Sequence, residues 1–258
     1  MNSRWWRVLR KVLGGAVTIY LALCGVLFFS QRSLLYFPPP AAGGDGTAAW
    51  VLPTAAARVL VSTRPKDGPG AMIYFGGNAE DVSVSLPEFA AGFPDRAVYL
   101  LHYRGYSGSS GSPSEKALFA DALTLFDAVH AQHPDVCVVG RSLGSGIAVY
   151  VASLRPLARL VLVTPYDSIQ ELAVEQYPYF PVRWLLLDKY ESSRYAPQVK
   201  APTLIVAAEH DEVIPRASTE ALRSRFPSGL ASFAVVAGTG HNDISGSPEY
   251  MRLLAGAR

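Results

Sequence analysis

Cysteine is nearly absent from the chain, which has only Cys24, inside a long apolar run, and Cys137, inside a short apolar segment of strand character. Two residues so placed are not expected to meet, so no disulfide framework holds this fold. Cysteine and histidine nowhere fall at metal-ligand spacing, which removes the usual sequence argument for a zinc site. Neither a metal nor an organic cofactor is expected. Charge is sparse as well: 17% of residues are Asp, Glu, Lys or Arg, and the formal net charge is +2. Beyond the N-terminus the basic residues are scattered, without the patch or stripe that a nucleic-acid partner requires. No internal repeat is detectable. Apolar residues take the place of charge: they fill 50% of the 258 positions, enough for a large core in one domain of ordinary size with an appendage.

The appendage is the N-terminus. Met1–Lys11 carries Arg4, Arg7, Arg10 and Lys11 beside Trp5 and Trp6, and from Val12 to Phe29 no charge occurs. As a helix, Val12–Phe29 is about 27 Å long, just short of a hydrocarbon core of ~30 Å; Ser30 and Gln31 extend the uncharged stretch. The expected organisation is a basic segment at 1–11, a transmembrane anchor at 12–31, a linker at 32–49 that ends in the Gly/Ala-rich Ala41–Ala49, and a globular domain at 50–258. Four basic residues precede the anchor and Arg32 follows it. The positive-inside rule therefore places the N-terminus in the cytoplasm and the domain on the periplasmic or extracytoplasmic side, in a single-pass topology. A cleaved signal peptide fits less well, because Leu23-Cys24-Gly25 is a poor small-x-small site. The large Leu23 also weakens a lipoprotein reading at Cys24, and a buried core helix would not carry a basic, aromatic flank.

Past Trp50 strand and helix patterns alternate. Strands are expected at 71–75, 97–102, 136–140, 160–164, 203–208 and 232–236, and helices at 82–91, 114–132, from Ile147 onward, 216–226 and 248–255. Such alternation, with apolar β-branched strands, implies a mostly parallel sheet covered on both faces, with ligands bound outside the carboxyl ends of its strands. At one of those ends Gly140-Arg141-Ser142-Leu143-Gly144 matches the G-x-S-x-G elbow, which holds a nucleophilic serine at a tight strand-to-helix turn. The plainer reading is a Gly-rich turn that packs a helix closely on a sheet. Context favours the elbow: a strand before, a helix after, and acid and histidine later in the chain.

A serine hydroxyl is a weak nucleophile at neutral pH and needs a base, most often a histidine oriented by a carboxylate. His241 follows the last expected strand, in Gly238–Asp243, whereas His102, His130, His133 and His210 read as structural or surface residues. Asp211 is the preferred acid because its loop follows strand 203–208, which should neighbour the last strand. Asp167 is the runner-up, Glu209 and Glu212 are neighbours able to substitute, and Asp243 lies too near His241 along the chain. An oxyanion hole takes the N–H of Leu143 and a second from Gly76–Asp81, assigned to Gly77 or Asn78 without a choice between them.

Together, Gln31-Arg32 with Leu34-Leu35-Tyr36-Phe37-Pro38, Gly77–Asp81, Tyr103–Gly108, Gly111–Glu115, Gly140–Gly146, Thr203-Leu204-Ile205 and Gly240-His241 closely resemble membrane-anchored α/β-hydrolase-domain proteins. That group includes protein depalmitoylases, lysophospholipid lipases and bacterial members. The likeness spans nearly the whole chain. It implies an α/β-hydrolase fold with a mostly parallel sheet, helices on both faces, a short cap and one transmembrane helix. It also implies Ser142 as nucleophile, Asp211 as acid and His241 as base. Two positions depart from the pattern: Gly76 stands where relatives often have His, and Ala208 where Gly is common three residues before the acid.

The cap is expected at about 165–200, with the aromatic, apolar Glu175–Leu187 at its centre. Tyr179, Phe180 and Trp184 are the candidates for lining an acyl pocket; the bland reading is a helix packed on the sheet edge. The activity implied is that of a membrane-tethered serine hydrolase cleaving carboxylic ester or thioester bonds of a small-molecule, lipid or acyl substrate. A serine peptidase is the alternative within hydrolases, and a noncatalytic binding module the alternative outside them. The complete order Ser, Asp, His argues against the latter.

Overall fold

Strand β3, Gly70–Phe75, is buried at every position, and so is β7, Thr203–Ala208. A strand with no exposed face must sit in the middle of a sheet with helices on both sides. In the computed structural model, which describes residues 3–40, 49–54 and 57–256, that sheet has eight strands in the order β1-β2-β4-β3-β5-β6-β7-β8. The others are β1 (Ala49–Leu52), β2 (Val59–Arg64), β4 (Ala97–Leu101), β5 (Asp135–Arg141), β6 (Arg159–Val163) and β8 (Ala231–Val236). From β4 to β8 neighbours run parallel; β2 is antiparallel to both β1 and β4.

Alternate residues of one strand feed two cores. Ala71, Ile73 and Phe75 face a cluster shared with α3 (Glu115–His130), α4 (Leu143–Leu154) and α8 (Arg216–Arg223). Met72 and Tyr74 face the other cluster, built with α2 (Leu86–Gly92) and α9 (Pro248–Gly256). Helix α3 begins where Ser114, in extended backbone, accepts a hydrogen bond from the Ala117 N–H. The helix expected at 82–91 divides into a 3₁₀ turn, Val82–Ser85, and α2, with Pro87 in the first turn of α2, where a missing N–H costs nothing. Strands β1 and β2 were outside the expected set: β1 has four residues, too few for a pattern to register.

Helix α1, Ser3–Leu35, is one continuous helix of 33 residues, about 50 Å long at 1.5 Å per residue. It is long and apolar enough to cross a membrane. The expected anchor at 12–31 is thus the middle of a longer element that takes in most of the basic segment and the start of the expected linker. The Gly/Ala-rich stretch 41–48 lies outside the described residues. The nearer part of the linker, 32–40, is not a free tether. Arg32 Nε donates to Asp188 Oδ2 at 2.9 Å, and Tyr36 is buried in the core, its hydroxyl 3.2 Å from Asp188 Oδ2 and 2.8 Å from the Tyr190 hydroxyl. The expected cap consists of three short helices, α5 (Ile169–Gln176), α6 (Val182–Leu185) and α7 (Ser192–Tyr195).

Candidate active site

The turn from β5 into α4 holds Ser142 at φ 48° and ψ −117°, a backbone region that costs a non-glycine residue about 1–3 kcal/mol. Close packing enforces it. A β-carbon on Gly140 would lie 2.5 Å from the Gly144 carbonyl oxygen, and one on Gly144 would lie 2.0 Å from that of Phe75. Helix α4 therefore begins at Leu143 and not at Ile147 as expected: Gly144, Ser145 and Gly146 are helical residues pressed against β3 and Tyr166. The Ser142 N–H donates to Val163 O at 2.9 Å, fixing the turn to the next strand.

Asp211 and His241 reach Ser142 because β7 and β8 are parallel neighbours, so the loops that follow them leave at the same sheet edge. His241 Nε2 is 2.9 Å from Ser142 Oγ, and Nδ1 is 3.0 Å from both oxygens of Asp211. Asp211 Oδ1 also accepts from the N–H groups of Val213 and Ile214 at 3.0 and 2.7 Å. Burial pushes the Asp211 carboxyl up, but the bonds from His241 and Ile214 outweigh it and hold it below its usual range. An ionised carboxylate only accepts, so the His241 proton belongs on Nδ1, leaving the Nε2 lone pair for the Ser142 hydroxyl. The runner-up acid Asp167 is elsewhere, accepting from Ser218 Oγ at 2.7 Å. Glu212 accepts from the His241 N–H at 3.1 Å, Asp243 from the Gly240 N–H at 2.6 Å and Glu209 from the Gly238 N–H at 2.7 Å; all three shape the loop. His102 and His133 are buried structural residues, bonded to Ser62 and to Tyr99 and Gly68.

In the loop after β3, Gly77 and Asn78 differ in what their N–H groups meet. Gly77 lies beside the nucleophile, for a β-carbon there would be 3.7 Å from Ser142 Cβ, but its N–H is already donated to Glu80 Oε2 at 2.7 Å. The Gly77 N–H is therefore engaged within its own loop. Among the described residues the N–H groups of Leu143 and Asn78 have no protein acceptor. At Gly76 a β-carbon would come within 2.5 Å of Val82 Cγ1.

Two further residues carry this geometry without having been assigned roles. Arg141, the variable residue of the elbow, pairs with Glu80 at 3.3 Å through Nη1 and donates from Nη2 to the His241 carbonyl at 3.2 Å. Glu80 also accepts from the Tyr74 hydroxyl at 2.9 Å. One ion pair thus joins the loop after β3, the elbow and the histidine loop. Of the aromatic cap candidates, Phe180 lines a cavity between α1 and the cap, whereas Tyr179 and Trp184 are 85% and 88% exposed and do not line it. No group of His, Cys, Asp and Glu able to hold a metal ion occurs among the described residues.

No family model matches the chain. An uncharacterised protein of Mycobacterium tuberculosis is 36% identical over 255 residues, covering 90% of this chain and 89% of that protein. The α/β-hydrolase domain-containing protein aho-3 of Caenorhabditis elegans is 30% identical over 190 residues, 71% of this chain and 55% of the worm protein. Lysophosphatidylserine lipase ABHD12 of Macaca fascicularis is 33% identical over 138 residues, 46% of this chain and 35% of the macaque protein. Mouse α/β-hydrolase domain-containing protein 10 superposes with a TM-score of 0.63 at 17% identity, covering 81% of this chain and 95% of its own. A membrane phospholipase A described as a bacterial virulence factor reaches 0.64 at 15% identity over 98% of this chain and 97% of its own. These likenesses are of fold. With relatives that carry the name in their own right and a sheet of the matching topology, the chain belongs to the α/β-hydrolase family.

Proposed function

We propose that this protein is a membrane-tethered serine esterase or thioesterase acting on hydrophobic acyl substrates through an acyl-Ser142 intermediate. The observation that carries the reading is the unbroken chain from Ser142 Oγ through His241 to Asp211, at 2.9 and 3.0 Å, on a strained elbow. His241 Nε2 takes the Ser142 proton as Oγ attacks the acyl carbonyl. The N–H groups of Leu143 and Asn78 receive the charge on the carbonyl oxygen, and Asp211 stabilises the imidazolium. His241 then returns the proton to the departing alcohol or thiol. Water, deprotonated by the same nitrogen, attacks the acyl-enzyme and releases the carboxylic acid and free Ser142. A lipase among the relatives supports an acyl substrate.

The uncharged stretch of α1 serves as the membrane span in this reading, with residues 1–11 in the cytoplasm and the domain from about residue 50 on the extracytoplasmic side, its cap at about 165–200. A reporter active only in the cytoplasm, fused after Arg258, stays silent under this topology; activity of the reporter reverses it. The chemistry is tested by labelling detergent-solubilised protein with a fluorophosphonate. Wild type is expected to label and Ser142→Ala not to, with labelling of His241→Ala strongly reduced. Absence of label on well-folded wild type overturns the mechanism.

A further inference from the structure

Between α1 and the cap lies a cavity of about 150 Å³. Leu27, Phe28 and Leu35 form its wall on the α1 side, and Ala173, Phe180 and Val182 its wall on the cap side. Two polar side chains, Gln31 and Tyr177, also line it, and the Gln31 amide is spent on the protein: Nε2 donates to the Phe28 and Leu185 carbonyls at 2.7 and 3.2 Å, while Oε1 accepts from the Leu187 N–H at 2.7 Å. A ligand entering this space meets hydrocarbon. Ten of its twelve lining side chains are apolar and the Gln31 amide is already bonded, so it selects an alkyl chain over a polar group.

The α1 wall of the cavity is bonded to the loop beside Ser142. The Leu35 carbonyl accepts from Asn78 Nδ2 at 2.7 Å, and the Phe37 N–H donates to Asn78 Oδ1 at 3.1 Å. The end of α1 is therefore bonded to the residue proposed above as an oxyanion donor. At the other end, Tyr20 stacks on Phe180 with centroids 5.9 Å apart and donates its hydroxyl to the Tyr179 carbonyl at 3.0 Å.

The source of the chain follows from where the cap sits along α1. Contacts with the cap run from Tyr20 to Arg32, about 18 Å of helix. That overlaps more than half of the uncharged stretch that has to cross the bilayer. The cap edge therefore lies at the depth of one leaflet, and there it exposes Tyr179 and Trp184, at 85% and 88%, large aromatic surfaces that contact with lipid would cover.

We infer that α1 is one wall of the acyl site as well as an anchor: the cavity between α1 and the cap takes an acyl chain of a bilayer lipid, whose carbonyl reaches Ser142 past Asn78. This rests on the serine-hydrolase reading, and its test separates the two. Full-length protein is reconstituted in phosphatidylcholine nanodiscs. Ala173→Trp and Leu27→Trp fill the cavity and should lower the ratio of p-nitrophenyl dodecanoate to p-nitrophenyl acetate hydrolysis at least tenfold, about the worth of two methylenes withdrawn from a hydrocarbon pocket. Val17→Trp, on the same helix outside the cavity, should not change the ratio. Melting curves establish that each variant is folded, and an unchanged ratio in both folded filling variants overturns the proposal. The second arm needs no catalysis. Ser142→Ala protein is irradiated in nanodiscs with a phosphatidylcholine bearing a diazirine at the end of one acyl chain, and adducts are mapped by mass spectrometry. Adducts on the peptide 169–186 that disappear in Ala173→Trp support the cavity as the chain site; adducts confined to α1 residues 4–26, outside the cavity wall, overturn it. Adducts on that peptide from the free diazirine fatty acid in detergent, but none from the lipid, overturn the bilayer as the source. Failure to label with fluorophosphonate or to hydrolyse either ester overturns the catalytic reading alone, and the adduct map still decides the cavity.

Discussion

Replacing Glu80 by Ala should weaken both the fold and the catalysis, for one reason. The Glu80 and Arg141 side chains are 13% and 15% exposed and 3.3 Å apart. Removing one partner of such a pair strands the other charge, at a cost of about 3–5 kcal/mol, a large share of the ~5–15 kcal/mol that holds a domain together. For a domain of this size each kcal/mol lowers Tm by about 2–4 °C, so Glu80→Ala should melt roughly 6–20 °C below wild type. Glu80→Gln keeps an acceptor for the Gly77 N–H but loses the charge, and should fall between. In Glu80→Ala/Arg141→Ala no stranded charge remains, so the double variant should lose clearly less than the two single losses added together. Catalysis should respond through position. Arg141 holds the His241 carbonyl at 3.2 Å, and once Glu80 is gone the histidine loop loses its fixed counterpart. A misplacement near 1 Å costs ~10²-fold in rate, so kcat for a short p-nitrophenyl ester should drop while KM changes little. Melting curves and steady-state kinetics on the four proteins decide the matter. A Glu80→Ala protein melting within 2 °C of wild type, with additive single and double losses, would refute the reasoning.

Asp211→Asn should lower kcat by about 10⁴, because an amide no longer fixes the histidine tautomer, whereas Asp167→Asn should leave it within a few fold; ester kinetics at one pH separate the two carboxylates. Gly144→Ala places a methyl 2.0 Å from the Phe75 carbonyl oxygen, forces β3 and α4 apart and should cost about 3 kcal/mol or more, read as a lowered urea midpoint. His102 is buried, which holds its imidazole below the usual 6.5. The unfolded chain therefore binds a proton that the fold refuses, and stability should fall as pH drops below about 6.5 toward the folded-state value. His102→Gln should flatten that slope between pH 7.5 and 5 in urea titrations. Asp211 acts with the opposite charge: its depressed carboxyl adds stability above 3.8 that is lost as pH falls through the folded-state value, and Asp211→Asn should remove that contribution in acid melts.

The sheet and the Ser142, Asp211 and His241 cluster are legible in the sequence because each depends on local pattern plus one topological rule. Strand β7 is found at its expected residues, since six apolar or small residues in a row cannot sit anywhere but a doubly covered strand. Choosing Asp211 over Asp167 needs only that β7 and β8 be neighbours. What the pattern cannot give is the disposition of hydrogen bonds. Nothing in Gly76–Asp81 says that Glu80 folds back to take the Gly77 N–H at 2.7 Å, and so nothing separates Gly77 from Asn78. Arg141 hides in the same way: the elbow motif leaves its position variable, and its partners are 61 and 100 residues away in the chain.

The contacts of the linker and the cap are not legible in the sequence for a deeper reason. Composition speaks of solubility and flexibility, and 32–40 looks like a short amphipathic exit closed by prolines. Its role is set by residues far along the chain: Asp188, 6% exposed, takes Arg32 Nε and the Tyr36 hydroxyl, and Asn78 takes the Phe37 N–H and gives a bond to Leu35. A buried carboxylate has to be paired, so once Asp188 stands inside the cap the exit from α1 is bound to it. The same exit is bound to the loop beside Ser142. A helix that merely tethered the domain would need neither attachment, and a flexible linker would serve it better. Two attachments, one to the cap and one to the loop beside Ser142, instead fix the end of α1 in register with the site, as the proposed role of α1 as a cavity wall requires and an anchor does not.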